Sequence, residues 1–185
     1  SLESDELRYP GFCRQQPRHT QNEYAWRFRA PADAIRYHDA IHGESSTNLD
    51  ASIGDFIVKR RDGLFAYQLA VVVDDAAQDI SEVVRGGDLL SNTPRQIALQ
   101  RALKLPTPNY VHLPVVLDSN GKKLSKSQQA PHLNGQNTGQ NGSELLYRAL
   151  VFLKQAPPIN LQRASIVECW QWAIDNWQLK PLILS

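Results

Sequence analysis

Between Ile80 and Leu117 the sequence spells strand, helix, strand, and that order admits few folds. Ile80-Ser81-Glu82-Val83-Val84-Arg85 alternates as a strand does and closes on Gly86-Gly87. Ser91-Asn92-Thr93-Pro94 follows, a capping hydroxyl ahead of a proline at the first helical position. It predicts a helix to about Leu103, with Ile97, Leu99 and Leu103 supplying apolar contacts. Pro106 and Pro108 then punctuate the return to an apolar run, Val111-His112-Leu113-Pro114-Val115-Val116-Leu117. Strand, crossover helix and strand are the signature of a parallel sheet covered on its faces, so the predicted class is α/β.

The second run empties into the turn Asp118-Ser119-Asn120-Gly121 and then into Lys123-Leu124-Ser125-Lys126-Ser127. Lysine offers a mobile point charge with three donors, and serine hydroxyls and free backbone N–H groups complete a cradle suited to polyphosphate. Taken alone, the same string also describes a solvated basic loop.

Other segments read less sharply. Tyr24-Ala25-Trp26-Arg27-Phe28-Arg29 alternates as a half-exposed strand, and Asp55 to Arg60 is a short strand ending in the turn Arg61-Asp62-Gly63. Residues 31–54 are polar and irregular, with a turn expected from Gly43 to Asn48. The continuous apolar run from Phe65 to Val73 has no clear period, and its valines favour a strand. Residues 131–143, rich in Asn, Gly and Gln, predict an exposed loop. Two helices are expected at 143–154 and 164–176, with stripes Leu146, Leu150, Leu153 and Ile166, Trp170, Ile174 facing the core.

At 185 residues with a net charge of +1, the composition is that of an ordinary globular chain, neither disordered nor strongly basic. A nucleic-acid partner needs only a local basic patch, and Lys59-Arg60-Arg61 is the candidate, although short charge runs are usually just solvated. No apolar stretch approaches membrane-spanning length. The two cysteines, Cys13 and Cys169, are too few for a disulfide framework, so a reducing cytoplasmic setting is expected. The chain contains no methionine and is read as a fragment or processed product.

Five blocks in order, Asp55 to Arg60, Tyr67 with Ala70 to Asp75, Val84 to Asp88, Ser91 to Gln96 and Lys123 to Ser127, closely resemble the class I glutamyl-tRNA synthetases. The last block is similar to that class's KMSKS signature, with leucine in place of methionine. The tail from Gln128 to Ser185 has no room for the helical anticodon-binding region of those enzymes. The chain therefore most resembles the glutamyl-queuosine tRNA(Asp) synthetases, truncated relatives that keep the catalytic body. No HIGH motif precedes residue 55, so the chain is read as the C-terminal portion of such a protein.

The resemblance implies part of a Rossmann-type parallel-sheet catalytic domain with a small helical tail. Residues 1–30 would end a zinc-binding-like insertion, 31–127 would be the second catalytic half, and 128–185 a linker and helical tail. It implies ATP-dependent activation of L-glutamate without tRNA, followed by transfer to the queuosine base in the anticodon stem-loop of tRNA(Asp). The acting form would be a monomer, with Mg2+ accompanying the ATP.

On the same resemblance Lys126 contacts the triphosphate, with Lys123 and Ser125 shaping the loop that closes over it. Tyr67 and Arg85 hold the glutamate, and a side-chain carboxylate indeed suits a guanidinium fork. The family also makes the Tyr67 segment helical, against the strand read from its pattern. Tyr9 and Cys13 in Tyr9-Pro10-Gly11-Phe12-Cys13 resemble the second half of a structural zinc site, one ion per chain, whose other cysteines would lie upstream; the alternative is a lone cysteine in a turn. Asp74-Asp75 is weighed low as a metal site, and His112 is expected to be a satisfied structural histidine. Two other functions stay open: a piece of an ordinary glutamyl-tRNA synthetase, and a non-catalytic tRNA-binding relative.

Overall fold

The computed structural model describes residues 8–14, 24–118, 120–121, 123–124 and 138–183. They form two compact units, residues 1–112 and residues 113–185.

The first unit is built on a four-stranded sheet. Strands β2 (Ile35–Asp39) and β3 (Gly43–Thr47) make an antiparallel hairpin, so the turn expected from Gly43 to Asn48 is a strand instead. Strand β2 also pairs in parallel with β6 (Asn109–Leu113), and β5 (Glu82–Gly86) completes the order β3-β2-β6-β5. The parallel register sets Asp39 beside Tyr110, with the Ala40 amide donating to the Tyr110 carbonyl at 2.9 Å. A carboxylate is thereby delivered to the strand that carries His112.

Strands β1 (Trp26–Phe28) and β4 (Phe56–Lys59) form a separate antiparallel pair with a bulge between Trp26 and Arg27. The short helix α1 (Leu49–Ser52) leads into β4 through Gly54. Gly54 has φ +73°, and a Cβ there would lie 2.5 Å from the Tyr9 carbonyl oxygen, so only glycine fits this approach. Arg14 closes the same corner with a bidentate bridge to Asp55 (2.8 and 2.6 Å) and a bond to Asp50.

Helix α2 (Tyr67–Ala77) replaces the strand that the apolar pattern favoured, as the family resemblance required. Its continuous valines suit either period; a single helical face, represented by buried Val72, is what meets the core. The backbone carbonyls of Asp74 and Asp75 take the amides of Gln78 and Ile80 as the helix ends. Helix α3 (Thr93–Leu103) starts where proline predicted it, but no hydroxyl caps it: the N-cap is Asn92, without a side-chain bond. Leu103 is exposed rather than packed. Both helices cover the core of Ile35, Leu49, Phe56, Val72, Ile97 and Leu99, each worth about 1.5–3 kcal/mol on full burial.

In the second unit, Asp118 begins the expected turn: its carbonyl accepts from Gly121 at 3.0 Å and its carboxylate from the Asn120 amide at 2.8 Å. Gly121, at φ +74°, lets the chain reverse, so Lys123 bridges back to Leu117. Helices α4 (Thr138–Phe152), α5 (Ile166–Asn176) and α6 (Lys180–Ile183) follow. A capping box between Ser165 and Glu168 starts α5. Its buried side is Cys169 and Ala173; the expected stripe of Ile166, Trp170 and Ile174 is exposed.

Candidate active site

Arg85, near the end of the edge strand β5, is clamped from one side. Its Nε donates to His112 Nε2 at 3.0 Å, and its Nη2 donates to Thr93 Oγ1 at 2.8 Å. A weaker bond runs from Nη2 to the Leu89 carbonyl at 3.5 Å. The guanidinium carbon also lies 5.4 Å from the ring centre of Tyr110, within cation–π range. Among the described residues Nη1 makes no bond, so the end of the fork is the part left for a ligand.

The clamp has a buried foundation. Asp39, Thr93 and His112 are each 0% exposed. His112 Nδ1 lies 2.6 Å from Asp39 Oδ2, and Asp39 Oδ1 accepts the amides of Ile41 at 3.0 Å and His42 at 2.9 Å. Because Arg85 can only donate, His112 Nε2 must accept, and the imidazole proton resides on Nδ1 facing Asp39. His112 is therefore neutral. Burial pushes its pKa down, and the charge of Arg85 adds to that, against the opposing bond from Asp39. Burial would raise the Asp39 carboxyl, but bonds from His112 and the two amides outweigh it and hold the group below its ordinary value.

The same signs govern pH. As pH falls below the ordinary histidine value of about 6.5, the unfolded chain takes up a proton before folded His112 does, so stability declines until the depressed folded value is passed. Protonation of Nε2 then sets an N–H against the Arg85 Nε–H. His112 faces Asp39, Arg85, the Thr93 hydroxyl 3.2 Å from its Nε2, the stacked Tyr110 ring and His42, whose Nε2 donates to the His112 carbonyl at 3.1 Å; of these Asp39 stays ionised over that range. Thermal unfolding scanned from pH 7.5 to pH 5 is expected to show a falling midpoint. His112→Gln, which keeps an acceptor but does not titrate, is expected to flatten that slope.

Tyr67, the first residue of α2, is 54% exposed. Its neighbour Gln68 donates to Asn92 Oδ1 at 2.6 Å and accepts from Gln96 Nε2 at 3.0 Å. Gln68 and Arg85 thus bond consecutive residues, Asn92 and Thr93, at the head of α3, while Tyr67 precedes Gln68 on α2. A cavity of about 280 Å3 lies beside Gln68, lined by Tyr9, Arg27, Asp55, Ile57 and Arg95 among others.

Of the lysine loop, Lys123 and Leu124 belong to the hairpin after Asp118, while Ser125, Lys126 and Ser127 lie outside the described residues. Tyr9 Oη accepts the Cys13 amide at 3.1 Å, so both side chains belong to one turn. A structural zinc takes four donors, and among the described residues no group of three or more metal-ligating side chains forms. No helix is long and apolar enough to cross a membrane among the described residues.

Sequence reasoning did not single out Asp39 or Thr93; His112, expected to be a satisfied structural histidine, is buried and bonded at both ring nitrogens. Asp39 sits in a stretch too polar to read as a strand, and Thr93 looked like part of a cap. The one available signal was an ionisable residue at the inward positions 35, 37, 39 of an alternating segment.

The protein-family model described as the catalytic domain of class I tRNA synthetases (E and Q) matches residues 8–152. The "Glutamyl-Q tRNA(Asp) synthetase" of Thiobacillus denitrificans is 51% identical over 95% of this chain and 57% of its own length. The protein of the same name from Ectopseudomonas mendocina is 47% identical over 91% of this chain and 56% of its own. The chain thus spans rather more than half the length of these curated relatives. The crystal structure of the glutamate-tRNA synthetase of Elizabethkingia anophelis superposes with a TM-score of 0.64 at 25% identity, over 85% of this chain and 34% of that one.

Proposed function

Since this chain belongs to the catalytic-domain family of the class I tRNA synthetases (E and Q), we propose that it is part of an enzyme that activates glutamate with ATP and passes it to the queuosine base in the anticodon of tRNA(Asp). The observation that carries the reading is the Arg85 guanidinium, fixed along one edge and open at Nη1, as a site for the side-chain carboxylate of glutamate. Tyr67 closes the same site. The names of the relatives support tRNA(Asp) as the acceptor.

With the side-chain carboxylate held, the α-carboxylate of glutamate attacks the α-phosphorus of ATP. A new P–O bond forms, the bond to the β-phosphate oxygen breaks, and pyrophosphate leaves; positioning and charge stabilisation do the work, without a protein nucleophile. Lys126 would stabilise the charge on the departing pyrophosphate, with Lys123 and Ser125 shaping its loop. Mg2+ bound with the ATP would neutralise part of the triphosphate charge. A hydroxyl of the modified base then attacks the activated carbonyl, the ester forms and AMP leaves. A structural zinc would take the Tyr9 phenol oxygen and the Cys13 thiolate as two of its ligands and would stand outside this chemistry.

The test is glutamate-dependent exchange of pyrophosphate into ATP, using protein expressed from its complete reading frame. Exchange without tRNA is expected. Exchange only with tRNA would instead favour an ordinary glutamyl-tRNA synthetase, and none under either condition would overturn the catalytic reading.

A further inference from the structure

Outside the glutamate site, the paired strands β1 and β4 carry an unusual surface. Trp26 is 57% exposed and Phe65 63%, although large aromatic rings ordinarily bury their faces. Strand register explains their company: Lys59 of β4 stands opposite Trp26 on one side and bridges to Phe65 on the other. The Lys59 ammonium lies 5.7 Å from the Trp26 ring centre and 5.6 Å from that of Phe65. One cation therefore sits between two exposed rings.

The surroundings are basic. Arg27 and Arg29 flank Trp26 and Phe28, and Arg60 and Arg61 continue β4 into the turn. Among the described residues, Asp62 pairs with Arg60 at 2.6 Å, both oxygens of Asp55 are held by Arg14, and Arg27 lies over the Tyr9 ring, which leaves Lys59, Arg29 and Arg61 as the net positive charge. The turn is itself ordered, its Arg60 amide bonded to the Leu64 carbonyl at 2.8 Å. The same two strands contribute Arg27 and Ile57 to the 280 Å3 cavity that Gln68 lines. Phe65 is two residues before Tyr67, the residue that the synthetase reading assigns to the glutamate.

Exposed rings spaced by lysine, on a positively charged sheet, suit an anionic polymer whose units have π-faces. A second copy of this chain would bring like charge against like. We propose that Trp26, Lys59 and Phe65 form a stacking platform for unpaired bases of an RNA loop, which they hold beside the glutamate site. This rests on the synthetase reading for the identity of the RNA.

The test uses protein from the complete reading frame and a synthetic RNA hairpin with 2-aminopurine in its seven-nucleotide loop. Stacking is expected to quench the fluorophore on binding. Trp26→Ala and Phe65→Ala are each expected to weaken binding roughly 10- to 100-fold and relieve the quench, with Trp26→Phe restoring most of both. Lys59→Gln should reduce the slope of log affinity against log salt by about one ion. Glutamate-dependent exchange without RNA should be unchanged in all four variants, which separates this surface from the activation chemistry.

Alanine variants that bind the hairpin with native affinity and quench would overturn the platform, even with the exchange reaction intact. Loss of exchange in the unmodified protein would instead sink the catalytic reading, and the hairpin data would still judge the platform. An acidic peptide that displaces the hairpin no better than free salt is expected. A peptide that binds these residues where RNA does not would overturn the assignment to RNA.

Discussion

Asp39→Asn is expected to behave as though Arg85, the arginine proposed to hold glutamate, had itself been altered. The asparagine oxygen can still accept the Ile41 and His42 amides, but its Nδ2 then faces the Nδ1–H of His112, donor against donor. The imidazole relieves this by moving its proton to Nε2, where it opposes the Arg85 Nε–H at a site of 0% exposure. Either way one buried donor is left unmet, at about 1–3 kcal/mol. Glutamate KM should rise roughly 10- to 100-fold. Asp39→Ala strands all three donors at once, at about 1–3 kcal/mol each, a large share of the ~5–15 kcal/mol that holds a domain together. Urea unfolding followed beside glutamate KM separates the two effects. A native KM in a folded Asp39→Asn protein would show that His112 does not orient Arg85.

Arg85→Met should be at least as severe for function and milder for the fold. It removes the guanidinium donors offered to the carboxylate while keeping an apolar stem over Tyr110. A charge-assisted bond is worth about 1.5–3 kcal/mol, so losing the contact at Nη1 predicts a KM for glutamate higher by roughly one to two orders of magnitude. Affinity for ATP should stay within a few-fold. Arg85→Lys is not expected to rescue, because an ammonium cannot reach His112 Nε2, Thr93 Oγ1 and a ligand in one plane. Equal losses for glutamate and ATP would point to a general collapse instead of a lost carboxylate contact.

The residues that were legible in the sequence are those whose role is local. Pro94 placed the start of α3, Gly86-Gly87 the end of β5, and Asp118 with Gly121 the hairpin before the lysine loop. Arg85 and Tyr67 were singled out through resemblance, and so was the helix around Tyr67, against its own pattern. What stayed hidden depends on distant partners. Asp39 is 73 positions from His112, and a polar residue at the inward end of a central strand reads as irregular until its partner is known. Thr93 offers its hydroxyl to Arg85 rather than to the helix it begins, which no capping rule foresees. Helix α5 failed for a different reason: the small side chains Cys169 and Ala173 allow the closest approach, whereas hydrophobicity ranks Ile166, Trp170 and Ile174 above them.

A guanidinium already fastened to its own protein has no freedom left to lose when a ligand arrives. Ordering a long side chain at a binding site ordinarily costs about 0.5–1.5 kcal/mol, and for Arg85 that loss falls at the moment of folding, when β5 docks against β6. Recognition and folding consequently draw on the same contacts. Anything that loosens this strand pair, whether heat, acid or a distant substitution, will first be felt as a weaker grip on the ligand, well before the sheet itself gives way.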